Sequence, residues 1–357
     1  KHNYKELAEI RKLLGRIAAT KGVLASFQGD VDGMIRFSSE ALALLPEGDL
    51  TWRNLNAVVL GNAYGFKGDM SSAYDARYEA MQACEAAGDL YLTMMSYLEL
   101  AITLRALGRL KETIEICQSQ MLVAKENGLL QTRIVGWLSA VWGETLTELN
   151  DLDIGIQRAK KGFQLAEESG DLPIIGWSLF CLIRVLFSRE DFKEAEEIIQ
   201  RMEKRSLNIQ YPAWISSQLA AWQARINLTQ NNIKEASKWL NKLSLDPNMG
   251  IKPLHEIHFF LLSEYVVAAR IQIGLSRLDD AVKLLRHLLL AAENGSRISK
   301  AIEILALLSL AYQAKGETDL ALSELKKALT IAEAEGFIRT FIDEGPPMAS
   351  LLYEALK

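Results

Sequence analysis

No stretch of this sequence alternates apolar and polar residues between pairs of turn residues, so strands are not expected. No apolar run reaches the length that crosses a bilayer, and the first 24 residues are too polar for a signal peptide. The glycine-rich phosphate loop that ends in Gly-Lys-Ser/Thr is missing, as is the Gly-x-Ser-x-Gly nucleophile turn. Cysteine is scarce. Cys84, Cys117 and Cys181 form no CxxC pair and each sits inside an apolar helical pattern, which reads as three buried free thiols in a reducing cytoplasm. Positive charge is not in surplus either. The formal net charge is -5 and the pI about 5.6, which argues against a nucleic-acid surface in this segment, because phosphate binding draws on clustered Lys and Arg.

Histidine is also sparse, with four in the chain. His255 and His258 flank Glu256 in Pro253-Leu254-His255-Glu256-Ile257-His258. Their i, i+3 spacing puts both rings on one helix face, as a metal site requires. The spacing is not that of the zinc proteases, however, and a third ligand is not evident, so ordinary surface or groove histidines are the expected reading. Carboxylates fall mainly on turns and outer helix faces, and a run such as Glu194-Ala195-Glu196-Glu197 reads as a solvated face. Without a nucleophile, metal cluster or phosphate loop, the chain is expected to bind rather than catalyse.

What the sequence does contain is a repeat. Turn-like residues recur about every 40 positions, at Gly29-Asp30, Gly68-Asp69, Gly108-Arg109, Asn150-Asp151, Glu190-Asp191, Asn231-Asn232, Ser276-Arg277 and Gly316-Glu317. A second series falls between them, at Gly48, Gly88, Gly128, Gly170, near Asn208, and at Gly250, Gly295 and Gly336. The segments between breakers carry apolar residues at spacings of three and four, the helical period, and Gly or Asn after each run suits a helix C-cap. Hydrophobic residues make up 49% of the 357 positions, enough for a continuous core in an array where each repeat packs only on its neighbours.

A small residue stands five positions after most turns: Ala73, Thr113, Gly155, Ala195, Ala236, Ala281 and Ala321, with Gly33 four positions on in the first repeat. A small side chain there lets the second helix of a pair lie close on the first. Leu60-Gly61, Tyr64, Gly68-Asp69, Ala73 and Ala80 resemble the tetratricopeptide consensus, as do Leu308, Tyr312, Gly316, Ala321, Leu325 and Ala328. The terminating Pro of that consensus is missing and the period is nearer 40 than 34, so each helix is expected to be longer. The expected fold is all-α, a right-handed superhelical solenoid of about eight tetratricopeptide-like helical hairpins. One hairpin cannot bury its apolar face alone, whereas a stack can, and stacking leaves a concave inner wall.

By the same resemblance, the first helix of each pair lines that wall, with the position six residues before each turn pointing into it. That position holds Asn62, Ile102, Glu144, Arg184, Arg225, Arg270 and Leu310. Arg184, Arg225 and Arg270 then make a ladder with Glu144 one step before it. Arginines in a recess hold phosphate or carboxylate groups by forked hydrogen bonds. The competing reading is a structural salt-bridge lattice with acidic residues of adjacent helices. Trp137 and Trp177 precede Glu144 and Arg184 by seven residues, two helical turns, and Trp222 precedes Arg225 by three. Aromatic plates beside hydrogen-bonding charges suit sugars, nucleosides or peptides; large core tryptophans are the competing reading. The candidate ligand-binding set is Trp137, Glu144, Trp177, Arg184, Trp222, Arg225 and Arg270.

The run Gly336-Phe337-Ile338-Arg339-Thr340-Phe341-Ile342-Asp343-Glu344-Gly345, followed by Met348 and Leu351-Leu352, is more specific than the repeats. It resembles the segment that closes the sensor region of MalT-like, large ATP-binding LuxR-family transcription activators, and the resemblance extends over about Leu7 to Leu352. It implies a helical-repeat sensor over 1–345 and, over 346–357, a helix leading to a DNA-binding domain outside this sequence. It also implies an ATPase on the other side, so that the sequence is expected to be a fragment. No cofactor is implied for this chain, ATP belonging to the N-terminal domain. The implied function is inducer binding and self-association in the cytoplasm, with a small-molecule inducer or a peptide or protein effector as partner and neither nucleic acid nor membrane bound directly. The alternative is a tetratricopeptide scaffold for a peptide or protein.

Overall fold

The computed structural model describes residues 2–28, 30–243 and 257–357. Gly29, Gly250 and the stretch from Pro253 to Glu256, which includes His255, lie outside them. No strand occurs among the described residues, and no helix is long and apolar enough to cross a membrane.

Among the described residues eight hairpins follow one another. They are α1 (His2–Gln28) with α2 (Val31–Leu44), α3 (Leu50–Lys67) with α4 (Met70–Ala87), α5 (Leu90–Ala106) with α6 (Leu110–Glu126), and α7 (Arg133–Glu148) with α8 (Leu152–Ser169). Then come α9 (Leu172–Ser188) with α10 (Phe192–Ser206), α11 (Ala213–Thr229) with α12 (Ile233–Lys242), α13 (Phe259–Gly274) with α14 (Leu278–Asn294), and α15 (Ile298–Ala314) with α16 (Thr318–Glu333). A short α17 (Arg339–Ile342) and α18 (Pro346–Ala355) close the chain.

Local chemistry explains the segmentation. Asp30, Asp69, Asp89, Asp151 and Asp171 each accept a backbone N–H three residues on, satisfying one of the donors that a helix start leaves open. The residue between paired helices is left-handed in each hairpin from the second onward: Gly68, Gly108, Asn150, Glu190, Asn231, Ser276 and Gly316. Glycine adopts that conformation freely and the other residues do so at a cost, yet the turn keeps its shape. The small residues after the turns are all buried, from Gly33 through Thr113 to Ala321, so they do set the close approach within hairpins. One expected cap shifts by a residue. At the end of α14 the left-handed position is Ser296, while Gly295 has an ordinary φ of -91°. Gly295 is needed for proximity instead, since a Cβ there would come within 2.2 Å of the Gly68 carbonyl oxygen.

That contact reveals the feature most relevant to function. The solenoid winds back on itself, so that its last two hairpins and α17 meet the turns of hairpins two to five. The Met70 amide donates to the Gly295 carbonyl (2.9 Å), the Ser299 hydroxyl donates to the Arg105 carbonyl, and the Ile338 amide donates to the Glu148 carbonyl (3.1 Å). Arg297, almost fully buried, donates to the carbonyls of Gly68 (2.7 Å), Ile257 (2.8 Å) and Lys67 (3.3 Å). Apolar burial is concentrated in two large clusters, one running from Met94 to Ile226 and a second from the middle hairpins to the C-terminus, while the first hairpins pack around small separate clusters such as Ala18, Ala19, Ala41 and Leu45. Residues 346–357 join the second cluster, for α18 buries Met348 and Leu351 in it.

Candidate functional site

The closed winding turns the concave groove into a partly enclosed cavity of about 160 Å³. Its walls come mainly from first helices of hairpins, α7, α9, α11 and α13, with α5, α15 and residues 337–340 closing the remaining sides. Six of the seven candidate residues line it: Glu144, Trp177, Arg184, Trp222, Arg225 and Arg270. Trp137 stands behind the wall, its ring 6.3 Å from that of Trp177. Of the other positions in the register, Ile102 and Leu310 are buried in the apolar clusters and Asn62 accepts from Arg77 at 3.0 Å. The ladder is therefore confined to the middle of the array.

The charges form a network whose acidic half comes mostly from the far side of the ring. Arg184 bonds to Glu148 (3.2 Å) on α7 and closely to Asp343, just past α17. Arg270 bonds to Glu344 (2.5 Å) and Glu303 (2.8 Å). Lys300 reaches Glu303 at 2.7 Å, and Arg339 stands 2.5 Å from Asp343 while donating to the Ser188 carbonyl. Arg225 differs. It comes no closer than 3.6 Å to Glu344 and 3.8 Å to Glu303, and its guanidinium lies 4.4 Å from the Phe187 ring and 5.4 Å from that of Trp222. Glu144 pairs with Arg105 at 2.9 Å and accepts from the Cys181 thiol at 3.1 Å.

Burial and these pairings perturb the acids and bases in opposite directions. Burial raises the Glu148 carboxyl against the pull of Arg184. For Glu303 burial acts upward too, but Lys300, Arg270 and Arg225 outweigh it and hold the carboxyl well below its usual range. Asp343 is likewise lowered, burial being overcome by Arg184, Arg225 and Arg339. Arg225 is lowered to about 10, first by burial and then by the charge of Arg270.

Aromatic side chains cover the opposite part of the cavity. Trp177 packs 6.1 Å from Trp214, 5.6 Å from Phe259 and 5.5 Å from Phe260, while Trp214 stacks on Phe260 at 4.5 Å. Trp214 has no counterpart in the repeat register, and Phe259-Phe260 follow a stretch without repeat signal, so pattern alone does not reach them. Glu148 lies one helical turn after Glu144, which is the sequence signal for its place on the wall. His258, the one described histidine of the suggested pair, accepts the Leu261 amide through Nδ1 at the start of α13 (3.3 Å), the role of a helix cap. All three cysteines are buried.

The model of the MalT-like TPR region matches residues 15–357. The HTH-type transcriptional regulator MalT of Yersinia pestis (strain Pestoides F) is 25% identical over 356 residues, which cover 97% of this chain and 37% of that protein. The protein of the same name from Cronobacter sakazakii is 24% identical over 350 residues, with the same coverage on both sides. The chain thus spans little more than a third of the length of these relatives. Among solved structures, a tetratricopeptide repeat protein from Parabacteroides merdae is 16% identical, with a TM-score of 0.45, over 85% of this chain and 99% of that one. Yeast Tom70 is 15% identical, with a TM-score of 0.29, over 98% and 85%.

Proposed function

The chain belongs to the MalT-like TPR family, and from that premise we propose that it is the effector-binding and oligomerisation module of a LuxR/MalT-type transcriptional activator. It acts in the cytoplasm and regulates transcription through a flanking ATPase and a helix-turn-helix domain. ATP is bound by the former and DNA by the latter, while this segment binds the effector and its own kind. The observation that carries the reading is the cavity on which six of the seven candidate residues converge. A mostly preformed recess with a few convergent polar groups is the usual form of a small-ligand site.

The cavity favours binding over catalysis. Its one thiol, Cys181, is pushed well above its ordinary value by burial and by the neighbouring Glu144, the reverse of an activated nucleophile. The geometry also favours a small effector over a groove-bound peptide. Residues 338–344 lie across the inner wall, bonded to Glu148, Arg184 and Ser188, and an extended peptide would have to displace them. Calorimetry and thermal-shift screening of the chain against metabolites tests the reading. A binding metabolite is expected, with affinity lost in Arg184→Ala and Arg225→Ala. Unchanged affinity in both folded variants removes the cavity from the proposal, and a protein partner captured without any metabolite response favours the scaffold.

A further inference from the structure

The buried charges around the cavity pair unevenly, and the gap falls on one residue. Arg184, Arg225, Arg270, Lys300 and Arg339 are joined by ion pairs to Glu148, Glu303, Asp343 and Glu344: five cations and four carboxylates among the described residues. The other charged pair on the wall, Arg105 with Glu144, is neutral as a unit. Glu264, the next buried carboxylate, accepts from Gln218 at 2.9 Å and makes no ion pair with these five cations. Four of the five cations have an acidic partner at 3.2 Å or closer. Arg225 has none closer than 3.6 Å, and its side chain is 9% exposed. Arg270 adds a buried Nη1 without a hydrogen-bond partner. A buried guanidinium without a close acceptor keeps a desolvation cost that an incoming anion would relieve.

We infer that the cavity takes a small monocarboxylate with a flat apolar body, its carboxylate on Arg225 and its body against Trp177 and Trp222. This rests on the reading of the cavity as the effector site. One guanidinium without a close acidic partner matches one carboxylate, whereas a phosphate ester carries about 1.5 to 2 negative charges at neutral pH, more than that one open guanidinium answers. A guanidinium offers a carboxylate two parallel donors. Trp177 and Trp222 border the same cavity as Arg225 and supply rings for a flat body. The volume of about 160 Å³ is of the size that admits a single aromatic ring.

The test uses the 357-residue chain with benzoate, phenylacetate and 4-hydroxybenzoate, each beside its neutral primary amide, by calorimetry and thermal shift. At least one acid is expected to bind ten times more tightly than its amide or better. Arg225→Met should erase that preference. Glu344→Gln removes the acid nearest Arg225 and also a closure contact of Arg270, so acid and amide weaken together with the closed fraction while the acid-to-amide affinity ratio should rise by up to about tenfold; it also keeps the test decisive where Arg225→Met does not fold. Acids that bind no better than amides, no binding by any of the three acids, or a Glu344→Gln variant with an unaltered acid-to-amide ratio each overturn the inference. A neutral sugar bound in an Arg184- and Trp177-dependent way would overturn the ligand class and leave the effector reading standing. Failure of acids, amides and sugars alike would count against both.

Discussion

The contact between α17 and the middle of the array turns on one buried carboxylate among several bonds, and removing its charge gives the sharpest test of the closed winding. Asp343 is 1% exposed at its side chain and lies against Arg184, Arg339 and the Ser188 hydroxyl, which donates to it at 2.8 Å. Asp343→Asn keeps the shape and removes the charge. Arg184 then retains Glu148, whereas Arg339 loses its acidic partner and keeps only the Ser188 carbonyl and, at 3.4 Å, Asn150. Breaking a buried pair from one side costs about 3–5 kcal/mol. The Ser188 hydroxyl can still donate to the new amide, so the lower end, about 3 kcal/mol, is expected. At about 1.4 kcal/mol per factor of ten, that raises the open population of the ring more than a hundredfold. The loss falls on the docking of α17 and not on the hairpins, whose apolar contacts are untouched. Hydrogen exchange should therefore speed up at the Ile338 and Thr340 amides, which donate to Glu148, and at the start of α15, while α9 and α11 keep their protection. Exchange at Ile338 and Thr340 within a factor of three of the wild type would refute the idea that this charge holds the ring closed.

Three further outcomes follow from the same contacts. Gly295→Ala puts a methyl group within 2.2 Å of the Gly68 carbonyl oxygen and should cost about 1–3 kcal/mol in urea unfolding. Ser276→Gly relieves a left-handed φ of 59° at a turn where glycine serves elsewhere, and should raise stability by up to about 1 kcal/mol in the same assay. On acidification, Glu303 and Asp343 govern ring closure. Both are held below their unfolded values of 4.5 and 3.8, so the stability they contribute is present above that range and is lost as pH falls through their folded values. Glu148, raised above 4.5, works in the opposite sense, its contribution being fullest at low pH. Opening of α17 followed by exchange should therefore set in below about pH 4, and Asp343→Asn should flatten that profile.

The hairpin count, the turn positions and the middle of the charge ladder were legible because each depends on residues close in sequence. Asn150, Glu190 and Ser276 stand where glycine stands in other repeats, and a fixed register finds them despite the change of type. The same register finds Arg184, Arg225 and Arg270, since one face of successive first helices is a local property. What closes the cavity is not local. Asp343 meets Arg184 across 159 residues and Arg297 meets Gly68 across 229. Those encounters depend on the pitch of the superhelix, a sum of small rotations over eight hairpins that no single repeat encodes. For the same reason the ladder is neither a bare anion groove nor a plain lattice between adjacent helices. Its acids come mostly from α15 and the segment around α17, on the far side of the ring.

Closure and the cavity are made by the same residues, and this couples them. Arg270, Glu303 and Glu344 tie α13 to α15 and to the segment after α17, and Arg270 and Glu303 also line the space that Arg225 faces. If the ring opens, the two halves of the site part, so a ligand bound there binds only the closed form. Its apparent affinity then scales with the closed fraction. Reciprocally, the ligand holds the ring shut by RT ln(1 + [L]/Kd), about 2.7 kcal/mol at a hundredfold excess over Kd. That is close to the cost expected for Asp343→Asn. A saturating effector should therefore restore slow exchange at Ile338 and Thr340 in that variant, whereas a ligand bound elsewhere on the array would leave those amides fast.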